Sequence, residues 1–219
     1  MSVDLHKELV NLRRNILNMG ASVEERVAEA LDALFSHNLA EAQTVRVGDD
    51  EIDAMDLDIE KECLRLLSLT QPVATDLRLI LAVMRINTDL ERIADMAKSI
   101  AKRVIAVEQL PGTLEPPATL REMAKRTRQM LDDSIAALAN NDKSLCNNIR
   151  RSDDVVDDLL KEMFAWAQES IQEDVEMTAF AINMLSVARK LERTADMATN
   201  IAEDVLFIIE GQVVRHTPA

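Results

Sequence analysis

One eight-residue phrase occurs twice in this chain of 219 residues, as LERIADMA at Leu90–Ala97 and as LERTADMA at Leu191–Ala198. Around each copy, apolar residues recur in steps of three and four, which is the spacing of a helix face packed in a bundle. The two ladders match at an offset of 101, the difference between positions 191 and 90. They comprise Leu79, Val83, Ile86, Leu90, Ile93, Ala97, Ile100 and Val104 in the first copy, and Phe180, Met184, Val187, Leu191, Thr194, Ala198, Ile201 and Val205 in the second. The chain is therefore a tandem duplication of a unit of roughly 100 residues.

Upstream of the phrases the repeat continues at an offset of 104, the difference between positions 151 and 47. There VGDDEID at Val47–Asp53 aligns with RSDDVVD at Arg151–Asp157, and ALDAL at Ala30–Leu34 aligns with SIAAL at Ser134–Leu138. The three-residue change in offset must be absorbed between the second and third helices of a unit.

The composition and the periodicity predict an all-α fold of two tandem, pseudo-symmetric three-helix bundles. Aromatic residues make up only 2% of the chain and Tyr is absent, whereas helix-forming residues such as Ala, Leu, Met, Glu and Arg are abundant. Six helices are expected, at about residues 4–36, 39–69, 73–107, 118–139, 142–169 and 174–209, with short connections that alternate their direction. The repeats then span residues 1–107 and 118–211, with a Pro/Gly-rich linker at 108–117 and a tail at 212–219.

Individual residues suggest where helices start and stop. Gly20 with a following Ser22–Glu25 pair, similar to a capping box, allows a kink or break in the first helix. Pro72 suits the first position of the third helix, and Gly211 suits the C-cap of the sixth.

The net charge of the chain limits the kinds of partner that it can bind. A formal net charge of −14 repels phosphate backbones, so direct nucleic-acid binding is not expected, and a cation or a basic partner fits the field better. No signal peptide or long apolar run is present, which predicts a soluble, cytoplasmic protein that meets a membrane only through its partners. The two cysteines, Cys63 and Cys146, match no zinc spacing and are interpreted as buried thiols.

Paired carboxylates are the candidate functional residues. Each repeated phrase places a Glu and an Asp four residues apart on one helix face, where like charges repel. The second helix of each unit carries another such pair, which an antiparallel bundle brings to the same region. The two predicted quartets are Asp49, Asp53, Glu91 and Asp95 in the first unit, and Asp153, Asp157, Glu192 and Asp196 in the second. All-oxygen ligands of this kind suit hard cations such as Mg²⁺, Mn²⁺, Ca²⁺ or Fe³⁺.

Two plainer interpretations stay open. Acids at this spacing are common on solvated helix faces. In addition, Arg78, Arg85 and Arg92 form a stripe beside the first quartet, and Arg193 mirrors Arg92, so arginines could neutralise the carboxylates without an ion. Only His6, His37 and His216 are available as imidazoles and none lies near an acidic pair, which argues against the Glu-x-x-His sites of di-iron bundles.

The residues described so far resemble the PhoU family. The resemblance is carried by the two LERxADMA phrases, by QPVATDLRLI at Gln71–Ile80 and by the GDD/SDD entry to the second helix of each unit, and it covers essentially the whole chain. One departure is Ala94 and Ala195, where many members have Gly before the motif Asp.

The resemblance implies a regulator and not an enzyme. It implies metal binding at the eight acids named above, with iron, zinc, manganese or magnesium as the ion. It further implies an adaptor between the ATPase subunit of a phosphate ABC transporter and a sensor histidine kinase, repressing the phosphate-starvation response when phosphate is ample. Apart from the resemblance, helices of this length favour a homodimer, although no residue pattern specifies one. From the residues alone, a carboxylate-metal-dependent hydrolase and a plain helical interaction module without metal are the alternatives.

Overall fold

The computed structural model describes residues 4–48, 50–112 and 114–211, and within these residues the chain forms seven α-helices, one short 3₁₀ turn and no strand. The helices are α1 (Leu5–Ser36), α2 (Leu39–Val47), α3 (Asp50–Leu69), α4 (Thr75–Val107), α5 (Ala118–Asn140), α6 (Lys143–Glu173) and α7 (Thr178–Glu210), and the 3₁₀ turn at Val175–Met177 precedes α7. The first unit consists of α1 to α4 and the second of α5 to α7. The predicted all-α fold of two tandem bundles is confirmed.

The two units pack against each other through their last helices. Among the described helices, α4 and α7 share the most extensive contact, and α1 also touches α5. The apolar ladders predicted from the sequence are buried along α4 and α7, with the first residue of the α4 ladder, Leu79, only partly so. Buried residues of both units join in one contiguous cluster, so the two bundles share a core.

The turn between the first and second helices has the same capping structure in both units. Asn38 and Asp142 are N-caps whose side chains accept hydrogen bonds from the backbone amides of Glu41 (3.1 Å) and Leu145 (3.0 Å). The residue before each cap ends the preceding helix in the left-handed conformation, with φ of 55° at His37 and 51° at Asn141.

The predicted second helix is divided in the first unit, which corrects the expectation of one helix over residues 39–69. The break comes at Gly48, the C-cap of α2, whose carbonyl accepts a hydrogen bond from the Arg26 guanidinium. Glycine is a poor helix former. At the matching position of the second unit stands Ser152, and α6 runs through it without interruption.

The sequence leaves a kink or break at Gly20 open, and the structure shows that α1 continues through it, where the absent side chain leaves room for Ile135 of α5. One smaller expectation needs correction. The helix α4 begins at Thr75 and not near Pro72, since Ala74 has a φ of 45° and cannot continue a helix toward its N-terminus. Gly211, by contrast, is the C-cap of α7 with a φ of 74°, as predicted.

Both cysteines are buried and unpaired, as predicted. Among the helices of the described residues, none combines the length and the apolarity needed to cross a bilayer.

Candidate acidic metal sites

The second unit brings its four predicted acids to one region between α6 and α7. Asp153 and Asp157 lie on α6, and Glu192 and Asp196 lie on α7. The hydroxyl of Thr199, one turn beyond Asp196, donates a hydrogen bond to Asp153 Oδ1 at 3.2 Å. This contact places the early part of α6 beside the late part of α7, which is the juxtaposition expected of an antiparallel bundle.

The electrostatics of this region show that the four carboxylates influence one another. Burial and then the nearby Asp196 raise the pKa of Asp153 to about 6. Burial and then Glu192 and Asp157 raise the pKa of Asp196 to about 6, and burial followed by Asp157 raises that of Glu192. Asp153, Glu192 and Asp196 are therefore harder to ionise than they would be in water, because they are partly buried and their neighbours are negative.

The first unit holds an equivalent acidic region between α3 and α4. Of its predicted quartet, Asp49 lies outside the described residues. Asp53, Glu91 and Asp95 are described, and burial followed by Asp95, Asp56 and Asp53 raises the pKa of Glu91.

Two acids of this region, Asp56 and Glu60, are missing from the predicted set. Both line a cavity of about 180 Å³ that also includes Asn87 and Glu91. Burial and then Glu60 and Asp53 raise the pKa of Asp56. The spacing of Asp53, Asp56 and Glu60 is the three-then-four step of a helix face, so the signal is present in the sequence. It is hidden from a search for repetition, because Leu160 and Phe164 stand at the matching positions of the second unit.

Asn87 connects this cavity to the chain of α3. The side-chain amide donates to Asp56 Oδ1 at 2.6 Å and to the Asp56 carbonyl at 3.0 Å. Asn87 is only 3% exposed, and its own Oδ1 is buried without a hydrogen-bond partner. A buried oxygen of this kind is a further donor atom for a cation.

The arginine stripe does not form salt bridges with the described quartet acids. Arg85 pairs instead with Asp204 at 3.1 Å, and Arg92 approaches Asp89 at 3.9 Å. At longer range, Arg92 lowers the pKa of Glu91, and Arg193 lowers those of Glu192 and Asp196, in each case by less than burial raises them. Among the described residues, no Lys, Arg or His lies within 4.0 Å of a carboxylate of Asp53, Glu91, Asp95, Asp153, Asp157, Glu192 or Asp196.

The carboxylate and amide oxygens suit a hard cation in atom type and charge, but in the structure they do not converge on one position. Within the described part of the chain, no three His, Cys, Asp or Glu side chains are placed so as to hold a metal ion. Asp157 and Asp196 are exposed and Glu192 is half-buried.

Comparison with known proteins identifies relatives along the whole chain. The family model described as the PhoU domain matches residues 16–104 and again residues 120–205. A phosphate-specific transport system accessory protein PhoU homolog from Aquifex aeolicus is 35% identical over 97% of this chain and 96% of its own length. The homolog of the same name from Pseudomonas aeruginosa is 33% identical over 99% of this chain and 89% of its own length.

Solved structures agree with the sequence matches. The crystal structure of PhoU from Pseudomonas aeruginosa superposes with a TM-score of 0.92 at 32% identity, covering 95% of this chain and 100% of that one. The phosphate transport system regulatory protein PhoU from Streptococcus pneumoniae superposes with a TM-score of 0.86 at 30% identity, covering 96% of this chain and 99% of its own.

Proposed function

The chain belongs to the PhoU family, and on that premise we propose that it is a non-enzymatic accessory regulator of phosphate uptake and phosphate-starvation signalling. The observation that carries the proposal is the match over both units and nearly the full length to proteins named as accessory or regulatory components of phosphate transport. It acts in the cytoplasm as an adaptor between the transporter ATPase subunit and a sensor histidine kinase. When phosphate is ample, it represses the starvation response.

The second part of the proposal is that both acidic regions bind metal. In the second unit the ligands are Asp153, Asp157, Glu192 and Asp196. In the first they are Asp49, Asp53, Glu91 and Asp95, and Asp56 and the Asn87 oxygen extend that set. A bound Mn²⁺, Mg²⁺, Zn²⁺ or iron ion supplies the positive charge that offsets the repulsion between these carboxylates. Burial and neighbouring carboxylates raise the pKa values of Asp153, Glu192 and Asp196, and the described acids lack salt bridges; both observations support this assignment.

The role of the acidic residues in the adaptor is positional. Asp153 and Asp157 belong to α6 while Glu192 and Asp196 belong to α7, so drawing them together fixes one helix relative to the other. The result is a rigid face on each unit against which partner domains dock.

Thermal unfolding tests metal binding. We expect the melting temperature of EDTA-treated protein to rise on addition of Mn²⁺ or Zn²⁺, because an ion at 100 times its Kd stabilises the native state by about 2.7 kcal/mol. The variant with Asp153→Asn, Asp157→Asn, Glu192→Gln and Asp196→Asn should lose part of this rise. Asp158→Asn, which removes an exposed acid of α6 paired with Lys161 at 2.8 Å, is the control and should keep it. An unchanged melting temperature of the native chain at saturating ion would remove the metal assignment.

Co-purification tests the adaptor role. The metal-loaded chain should retain the ATPase subunit of the phosphate transporter and the cytoplasmic domain of the kinase, and the EDTA-treated chain should retain less. Retention of neither partner by the metal-loaded chain would refute the adaptor. Turnover of phosphate esters that depends on Glu91 and Glu192 would instead favour a hydrolase.

We also propose that the regulator is a homodimer. Leu57 and Leu64 of α3 are 51% and 50% exposed and lie seven residues apart, hence on one face of the helix. Covering these two leucines with a second copy of the chain would bury apolar surface, which favours dimer formation. Light scattering coupled to gel filtration should give twice the chain mass of 24.5 kDa, and a monomer at micromolar concentration would contradict the proposal.

A further inference from the structure

The internal repeat makes α4 and α7 equivalent helices, so each position in the contact between them has an equivalent position at the opposite end of that contact. One end of the contact holds a buried ion pair. Arg85 Nη1 of α4 lies 3.1 Å from Asp204 Oδ1 of α7, and the Asp204 side chain is 2% exposed. The Arg85 guanidinium also lies 5.4 Å from the centre of the Phe207 ring. At this end, positive and negative charges are matched.

At the opposite end of the α4–α7 contact, basic residues occupy the positions equivalent to the acids of the first end. The offset of 101 that relates the LERxADMA phrases places Ser186 at the equivalent of Arg85, and Arg103 at the equivalent of Asp204. By the same offset, Lys190 stands where the first unit has Asp89. The two carboxylates of the first end therefore correspond to an arginine and a lysine at the second end, and Arg85 corresponds to a serine hydroxyl.

The residues of this second end lie close together. Lys190 Nζ donates to Ser186 Oγ at 3.1 Å and to the Ser186 carbonyl at 3.3 Å. Asp204 of α7 contacts Arg85 of α4, so the repeat relation places Arg103 of α4 on the side of α7 that carries Ser186 and Lys190.

Within the part of the chain that the structure describes, these cations form no salt bridges. Among the described residues, no carboxylate lies within 4.0 Å of the charged groups of Arg103, Arg189, Lys190 or Arg193, although Arg189 and Arg193 act on Glu192 at longer range. Arg103 Nε is buried and has no hydrogen-bond partner. A buried donor without an acceptor is costly.

An open groove gives a ligand access to Ser186, Arg189 and Lys190 of this cluster. Its volume is about 450 Å³, and it is lined by Ile182, Leu185, Ser186, Arg189 and Lys190. The local excess of positive charge is opposite in sign to the net charge of −14 of the whole chain. A groove of this size holds a phosphate group together with a small organic remainder.

We propose that the groove at Ser186, Arg189 and Lys190, together with Arg103, binds a phosphate-type oxyanion, either free or as the end of a small phosphate ester. Guanidinium and ammonium groups with a hydroxyl are the usual donors to such an anion, and several cations match a charge of two better than that of a single carboxylate. The site shares no residue with the acidic regions and extends beyond the proposed adaptor function.

Calorimetric titration of the EDTA-treated chain with inorganic phosphate tests the proposal, because without metal the acidic regions cannot hold phosphate through an ion. We expect saturable binding that weakens at least tenfold in Lys190→Gln and in Arg103→Gln. Lys125→Gln, which removes an exposed cation of α5, should bind as the native chain does. Ser186→Ala is the mildest variant, and a weakening there shows the effect without a change of charge or a risk to folding.

Separate arms identify the source of the anion. Saturation by inorganic phosphate alone assigns a free anion, and saturation by glycerol 3-phosphate alone assigns an ester. In either case the ¹⁵N resonance of Lys190 Nζ should shift, since this ammonium group lines the groove that the anion enters. No saturable binding of either ligand, binding unaffected by Lys190→Gln and Arg103→Gln, or equal loss in Lys125→Gln would overturn the proposal. None of these measurements involves a transporter or a kinase, so failure of the adaptor function would not alter their outcome.

Discussion

Gly20 shows how a single residue sets the distance between the two units. A Cβ atom at this position would lie 2.9 Å from Ile135 Cδ1 and 3.2 Å from its Cγ2. The glycine in the middle of α1 is therefore a packing residue and not a helix breaker. Its sequence signal, a Gly inside a helical pattern, is the same for both roles, and only the neighbour from α5 distinguishes them.

Gly20→Val should lower the free energy of unfolding by about 1–3 kcal/mol, because its methyl groups would overlap Ile135 in a filled core. Ala21→Val, at the exposed neighbouring position, should cost no more than about 0.7 kcal/mol through helix propensity. Urea unfolding followed by circular dichroism measures both. Equal costs for the two variants would show that α1 and α5 are not in close contact.

Glu24 gives the stability of the fold a dependence on pH. Burial and then Asp132 of α5 raise the pKa of Glu24 from 4.5 to about 7. Because the folded state holds this proton more tightly than the unfolded chain does, stability falls as the pH rises from about 4.5 to about 7, and the loss is complete above that range.

Glu24→Gln should accordingly stabilise the protein at pH 8 by about 1 kcal/mol after allowance for solvent screening, and should have little effect at pH 4. Thermal unfolding across this pH range measures the difference. Glu25→Gln removes the same charge at an exposed position and serves as the control. A gain that is the same at both pH values would refute the assignment of the effect to Glu24.

The sequence locates most of the acidic residues but not their full set. Repetition in both units predicts Asp153, Asp157, Glu192 and Asp196, and the structure brings these four together. Asp56 and Glu60 escape the same rule because they occur in one unit only. The sequence also does not predict which residues contact Arg85. Helical spacing shows which face of its helix a residue lies on, but not which helix packs against that face.

At the scale of helices, residues with a local mechanism are the predictable ones. Asn38 and Gly211 act through their own side-chain or backbone chemistry and are placed correctly from sequence. The break after α2 falls at Gly48, whose carbonyl accepts a hydrogen bond from Arg26 of α1, and the start of α4 follows from the conformation of Ala74. Apolar periodicity encodes neither position, although Gly48 is itself a weak helix former.

The ion pair between α4 and α7 should contribute measurably to the packing of these helices. Arg85→Met leaves Asp204 buried without its arginine, and we expect a loss of about 2 kcal/mol, less than for a wholly buried pair because Arg85 is 39% exposed. Arg126→Met breaks the exposed pair with Glu122 within α5 and should cost no more than about 0.5 kcal/mol. Chemical denaturation compares them, and equal losses would place Asp204 in contact with water.

At the scale of the whole molecule, the net charge of −14 opposes folding through self-repulsion. Raising the NaCl concentration from 10 mM to 300 mM shortens the screening length to below about 10 Å. The melting temperature of the EDTA-treated protein should then rise by about 2–4 °C, as expected for a gain of about 1 kcal/mol.

The four-residue variant of the second unit, with Asp153→Asn, Asp157→Asn, Glu192→Gln and Asp196→Asn, tests where this repulsion is concentrated. It should gain less from salt than the native chain does, because four closely spaced charges are gone. Scanning calorimetry at both salt concentrations measures the difference. A melting temperature that falls with salt would mean that attractive pairs dominate the surface.

The general architecture follows from the duplication, since two ladders with a heptad spacing predict two bundles. How the bundles associate does not follow, because α4 and α7 carry apolar residues over much of their circumference and the sequence does not say which stripe faces the other unit. The structure resolves this with one core that crosses from α4 to α7.

The shared core means that neither half of the chain is finished without the other. If the polypeptide were cleaved in the stretch between α4 and α5, each fragment would expose the face that the other normally covers. Each piece alone should be partly molten and prone to self-association, and mixing the two should restore a single sharp melting transition. The gene could thus be divided and its products reassembled, which makes this fold suited to split-reporter fusions at that stretch.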